Sequence, residues 1–117
     1  MNSLNFYLKE KRPWGNFERF TLNEKTTVKI ITVEPGGVLS LQTHEHRSEF
    51  WKIISGNGTV IIGDNETKAL PGDTFFISEH AKHRLEAGDT TLVALEIAFG
   101  DFDEKDIDRL EDKYGRT

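Results

Sequence analysis

Turn-forming clusters break this chain at short intervals, and that spacing restricts the fold more than any other feature. Asn23-Glu24, Pro35-Gly36-Gly37, Ser55-Gly56-Asn57-Gly58, Gly63-Asp64-Asn65, Pro71-Gly72-Asp73 and Gly88-Asp89 all carry residues that preset or tolerate turn geometry. The runs between them are short and rich in Val, Ile, Thr and Phe. They predict strands at 16–22, 26–34, 38–44, 49–55, 58–62, 66–69, 74–77, 82–87 and 91–99. Strands at this spacing imply an all-β sandwich or barrel. Only 103–114 reads as a short C-terminal helix. Acids fill its first turn, Lys113 lies near its end, Gly115 could cap it, and Ile107, Leu110 and Tyr114 share one face. Residues 1–16 form an N-terminal arm with Lys9, Lys11, Arg12 and Trp14, and 17–117 form a single domain.

The 117 residues suffice for one core, and 36% hydrophobic with 30% charged is ordinary for a globular chain. The net charge of −5 argues against a nucleic-acid partner, which needs a basic stripe. It leaves a phosphorylated small ligand open, because a few local cations hold one phosphate. With no cysteine, disulfides and thiolate chemistry are excluded. No segment has the ~20 apolar residues of a membrane span, and residues 1–7 do not read as a signal peptide. No membrane partner and a cytoplasmic location are therefore expected.

The run from Gly36 to Glu49 carries the chemistry. In a strand, side chains alternate faces, so Gln42, His44 and His46 would share one face while Leu39 and Leu41 take the other. Gln42, His44, Glu49 and the downstream His83 offer a mixed nitrogen and oxygen ligand set for a divalent metal. Zinc suits it, and manganese, iron, cobalt or nickel would also fit. His46 is an alternative ligand by its face, or a group that orients a ligand or touches the substrate. His80 reads as a turn residue. The leucines need a cover, which could be the arm, a second sheet or a partner subunit, and a symmetric homodimer is expected.

The spacing resembles the cupin motifs. Gly36, five residues, Gln42-Thr43-His44, four residues, Glu49, six residues and Gly56 fit the first, with Gln in place of its first His. Gly72, five residues, Ser78-Glu79-His80, two residues, His83, three residues and Ala87 fit the second in spacing, departing at Ser78, His80 and Ala87. Taking His44-Glu45-His46 as the paired histidines is the other register. The resemblance implies a cupin double-stranded β-helix, a jelly-roll barrel. Arg12-Pro13-Trp14-Gly15, Leu39-Ser40-Leu41-Gln42, His46-Arg47-Ser48-Glu49, Lys82-His83-Arg84-Leu85 and the segment from Arg109 to Arg116 further resemble type II mannose-6-phosphate isomerases.

That resemblance implies a metal-dependent isomerase interconverting mannose 6-phosphate and fructose 6-phosphate through an enediol. It also implies a possible partner, a nucleotidyltransferase on a separate chain. The catalytic candidates it suggests are Glu96, which interrupts an apolar strand, and Arg47. A structural ion pair of Glu96 with Lys29 or Lys52 is the competing reading. Arg12, Arg84 and Lys52 are the candidate phosphate cations, although Arg84 should face away from His83. Trp14 and Trp51 are expected to pack the barrel. A non-catalytic sugar-binding module and another metal-dependent cupin enzyme remain the alternatives.

Overall fold

The predicted turn clusters fall between strands in the computed structural model, which describes residues 4–116. Met1, Asn2 and Ser3 of the expected arm, and Thr117, lie outside the described residues. The strands are β1 (Leu8–Arg12), β2 (Gly15–Arg19), β3 (Thr26–Val33), β4 (Leu41–Thr43), β5 (Ser48–Ser55) and β6 (Gly58–Ile62). Then come β7 (Asn65–Ala69), β8 (Thr74–Ile77), β9 (His83–Ala87), β10 (Leu92–Phe99) and β11 (Asp108–Glu111). One sheet runs β3-β10-β5-β8 and the other β11-β4-β9-β6-β7, with antiparallel pairing throughout. The fold is the all-β cupin jelly roll. No helix of the described residues is long and apolar enough to cross a membrane.

Alternation along each strand builds the interior. Trp51 and Ile53 from β5, Val60 from β6, Leu85 from β9 and Leu92 and Ala94 from β10 meet between the sheets almost wholly buried. Two glycines allow the closest approaches. A Cβ on Gly56, whose φ is +83°, would fall 2.0 Å from the Thr91 carbonyl oxygen, and one on Gly58 would fall 2.0 Å from that of Glu86. The apolar end does not continue along the barrel. Glu49, His83 and Glu96 occupy inward positions at the other end, and Trp51 sits at the boundary, paired across the ladder with Glu96. This polar end is the part of the interior that the hydrophobic effect did not shape.

Three expectations are corrected. The C-terminal helix is absent: 103–106 turns, with Asp106 N–H bonded to the Asp103 carbonyl, and β11 then pairs with β4. The segment is rich in Asp, a poor helix former, and an isolated helix this short gains little. As a strand it satisfies the backbone edge of β4 instead. The arm is a β-hairpin reaching Arg19, and its tip residue Trp14 is exposed rather than packed in the barrel. Leu39 does not face outward: it packs against the core and lines the polar cavity. β4 is only three residues long, so period-two alternation does not extend back through the buried Ser40.

Candidate metal centre

His44 follows the last residue of β4, Glu49 is the second residue of β5, and His83 opens β9. Three strand ends thus deliver one imidazole, one carboxylate and a second imidazole to the same point. The His83 Nε2 lies 3.2 Å and the His44 Nε2 3.7 Å from Glu49 Oε1. All three groups are buried, and one ligand atom of each falls within 4.8 Å of the others. Donors of a tetrahedral site with bonds of about 2.1 Å stand roughly 3.4 Å apart, so little movement would close them on an ion.

The second nitrogen of each ring fixes its tautomer. His44 Nδ1 lies 2.5 Å from the Asp106 carbonyl and His83 Nδ1 2.9 Å from that of Ala81. A carbonyl only accepts, so both Nδ1 atoms carry hydrogen, which leaves each Nε2, on the side of Glu49, as the nitrogen open to an ion. Burial pushes the His44 pKa down, which favours the neutral ring. Glu49 Oε1 is buried without a hydrogen-bond partner. Two imidazole nitrogens converging on an orphaned carboxylate oxygen fit a divalent cation, and the nitrogen and oxygen set suits zinc or its neighbours.

Arg47 reaches the cluster from the turn between β4 and β5. It donates through Nε to Glu49 Oε2 at 3.1 Å, places Nη2 3.2 Å from His44 Nε2, and donates through Nη1 to the Asp103 carbonyl at 3.2 Å. Its guanidinium lies over the Phe102 ring, 4.4 Å from the centroid. The Glu49 carboxyl is held down at about 2 despite its burial, because His83, His44 and Arg47 favour the charged form. Glu96 goes the other way: burial first, then the charge of Glu49, pushes it up to about 7. The Trp51 indole N–H donates to its Oε1 at 3.1 Å and opposes the rise.

A cavity of about 230 Å³ opens over this cluster, lined among others by Lys29, Gln42, Glu49, His83, Glu96, Arg109 and Arg116. Gln42 of β4 stands opposite His83 of the neighbouring β9 in the same sheet and ties its Nε2 to Ser40. Of the residues singled out from the sequence, His44, Glu49, His83, Gln42, Arg47 and Glu96 come together. His46 does not: β4 ends at Thr43, the chain turns, and the exposed His46 leaves the wall. Arg12 lies on the hairpin, bonded to Glu10 at 2.6 Å. Lys52 faces the opposite side of β5 and pairs with Glu18. Arg84 is spent on the Leu39 carbonyl and on Glu111 of β11. The competing ion pair of Glu96 with Lys29 or Lys52 is absent among the described residues: Lys29 bonds Glu104 at 3.3 Å and Lys52 pairs with Glu18. Asp106, Trp51, Lys29, Arg109 and Arg116 were not picked out as site residues. Asp106 and Arg109 lay in the segment expected to be helical, and nothing in the local pattern separated them.

An antiparallel two-sheet barrel with such a cluster at one end defines the cupin class. The cupin 2 domain-containing protein of Halorhodospira halophila superposes with a TM-score of 0.65 at 28% identity, over 72% of this chain and 57% of that one. Residues 2–112 match the family described as Mannose-6-phosphate isomerase C-terminal, and the chain belongs to that family. It is 39% identical over 114 residues to the xanthan biosynthesis protein XanB of Xanthomonas campestris pv. campestris, covering 96% of this chain. It is 39% identical over 107 residues to a mannose-1-phosphate guanylyltransferase of Klebsiella pneumoniae, covering 90% of this chain. The chain spans only 24% and 23% of the length of these two relatives.

Proposed function

We propose that this chain is a metal-dependent aldose–ketose isomerase that interconverts mannose 6-phosphate and fructose 6-phosphate. One observation carries the reading: Glu49 and His83 of the His44–Glu49–His83 cluster and the buried Glu96 carboxyl line one cavity, in a chain of the Mannose-6-phosphate isomerase C-terminal family. The reaction moves a proton from C2 of the open-chain aldose to C1 and exchanges a proton between the two oxygens. His44, Glu49 and His83, with Gln42 beside them, would hold a divalent ion, which when bound would supply Lewis-acid polarisation of those oxygens.

Glu96 is placed to take the C2 proton and return it at C1. A carboxyl with a pKa near neutrality can do both. Trp51 fixes the oxygen that does not move the proton. Arg47 holds Glu49 in its ionised form and adds positive charge beside the developing enediolate. Lys29, Arg109 and Arg116 around the cavity supply the cations that a phosphate requires. A nucleotidyltransferase acting alongside, the activity named for the Klebsiella relative, belongs to the same proposal. So does a symmetric homodimer, which sedimentation equilibrium tests.

The second reading is a binding module without turnover. It draws support from Arg47, whose Nη2 already supplies a cation to the His44 lone pair. Metal content of the purified chain, followed by sugar-phosphate incubation in D2O with and without added metal, separates the two. Metal-dependent deuterium incorporation at C2 of mannose 6-phosphate, with fructose 6-phosphate formed, is the expected result. Bound metal and bound sugar phosphate with no incorporation would leave the binding module.

A further inference from the structure

The two histidines of the cluster are oriented by different parts of the chain. His83 takes its carbonyl partner from Ala81, two residues back, so its ring is set within its own segment. His44 takes its partner from Asp106, 62 residues along the chain, on a segment that follows β10. The same Asp106 also accepts, through its carboxylate, the backbone N–H groups of Glu45 at 2.9 Å and His46 at 3.0 Å. These amides belong to the turn that joins His44 to Arg47 and Glu49. One residue therefore sets both the ring angle of a ligand and the backbone of the loop that carries it.

The rest of the segment is a strap laid across the barrel. Phe102 lies under Arg47, and the Asp103 carbonyl accepts from its Nη1. Beyond Asp106, β11 pairs with β4 through Asp108 opposite Thr43 and Arg109 opposite Gln42. Arg84 clamps β11 at Glu111, Lys113 donates to the Gly36 carbonyl, and the Tyr114 hydroxyl accepts from Val38 N–H. Ile107, Arg109 and Arg116 of this strap line the cavity wall.

We propose that Asp106 is a positioning residue that couples docking of the strap, residues 102–116, to metal binding by His44, Glu49 and His83. The inference rests on the metal-centre reading and goes beyond it. With the strap docked, the Nδ1–H of His44 is engaged and its Nε2 is held between Arg47 Nη2 at 3.2 Å and Glu49 Oε1 at 3.7 Å. With the strap released, the ring is free to rotate or change tautomer, and the turn amides lose their acceptor. Linkage is reciprocal, so a bound ion must hold the strap down by the same factor.

The test uses the intact chain with Co(II) alone as the affinity probe, measured by chelator competition, and zinc alone for amide hydrogen exchange. Asp106→Ala keeps the carbonyl that faces His44 Nδ1 but removes the carboxylate that ties the Glu45 and His46 amides to the strap, so the carbonyl is no longer held in place. Co(II) binding should weaken by about 10-fold, the lower end of the effect of losing a group that positions a ligand. Asp106→Asn keeps one acceptor oxygen and should fall between the two. It also decides the matter should the alanine variant not fold. In the wild-type chain zinc should slow exchange at Glu45 and His46 and across 108–111 together. In Asp106→Ala that joint protection should disappear. A purely structural role would lower the melting temperature of the metal-free variant and leave its Co(II) affinity unchanged, which overturns the inference. So does a wild-type strap whose exchange is indifferent to zinc. A wild-type chain that binds no metal sinks the metal-centre reading, and this inference with it.

Discussion

Replacing Trp51 by Phe removes one donor from the buried carboxyl proposed as the base. The indole N–H reaches Glu96 Oε1 at 3.1 Å and favours the ionised form. A hydrogen bond to a charged group contributes about 1.5–3 kcal/mol. At about 1.36 kcal/mol per unit, its loss raises the Glu96 pKa by roughly one to two units. From about 7 the carboxyl would move to about 8–9, so its ionised fraction at pH 7 falls from about half to roughly a tenth or a hundredth. The phenyl ring keeps part of the edge contact that Trp51 makes with His83, 5.7 Å between centroids. The barrel should survive a volume loss worth about 1–3 kcal/mol. Carbon-13 NMR titration of the Glu96 carboxyl in metal-free protein reads the shift directly. The acidic limb of the isomerase pH profile should move up by the same amount, with the rate recovered at alkaline pH. A bound ion lowers both titrations, so wild type and variant are compared at equal loading. A Glu96 midpoint that stays put or moves down refutes the hydrogen-bond argument. A shifted midpoint with an unshifted rate profile removes Glu96 as the base.

Three further outcomes follow from the same geometry. His83→Ala should lower metal affinity by at least about 100-fold, since even outer partners of ligands cost 10–100-fold, while the circular dichroism of the barrel is kept. Full metal occupancy by elemental analysis would end the ligand assignment. Glu96 carries a folded pKa of about 7 against the ordinary 4.5 of a glutamate, so the native state keeps a proton that the unfolded chain has lost. Metal-free stability should therefore fall as pH rises from about 4.5 through about 7, by about 3 kcal/mol, and Glu96→Gln should flatten that slope in urea titrations. An equal slope in the variant would show that another group is responsible. Lys52→Ala should leave the sugar-phosphate KM unchanged, because Lys52 faces away from the cavity. It should instead loosen the N-terminal hairpin, whose Glu18 it holds, by about 1 kcal/mol or less. A raised KM with an undisturbed hairpin would return Lys52 to the substrate.

The strands were legible because turn chemistry is local. Gly58–Ile62 and Thr74–Ile77 fall where Gly, Asn, Asp and Pro place the breaks, and most other boundaries lie within a residue or two. What was not legible depends on edges. β11 exists because β4 offers an open backbone edge, not because Asp-Arg-Leu-Glu favours extension. Its apolar residues at helical spacing were a coincidence that tertiary pairing overrode. β1 failed for a related reason: Leu8–Arg12 has little apolar pattern and is a strand through its partner Gly15–Arg19.

The site shows the same division between local rule and long-range consequence. Period-two alternation correctly aligns Glu49, Trp51 and Ile53 on β5, and Leu92, Ala94 and Glu96 on β10, because those strands are eight residues long and regular. It fails at His46 and Leu39 because β4 is three residues long and the chain turns on both sides of it. The phosphate cations failed for a different reason. Nearness in sequence to a ligand is a poor guide for a long basic side chain: Arg84, as alternation requires, and Lys52 sit on the outer faces of the strands that carry His83 and Glu49. Adjacent positions on a strand are opposite in space. Outward cations beside inward ligands are therefore the default of a barrel wall. The cations that do reach the cavity come from a neighbouring strand in register with an inward residue, as Lys29 of β3 does beside Glu96 of β10, or from the strap that closes over it, as Arg109 and Arg116 do.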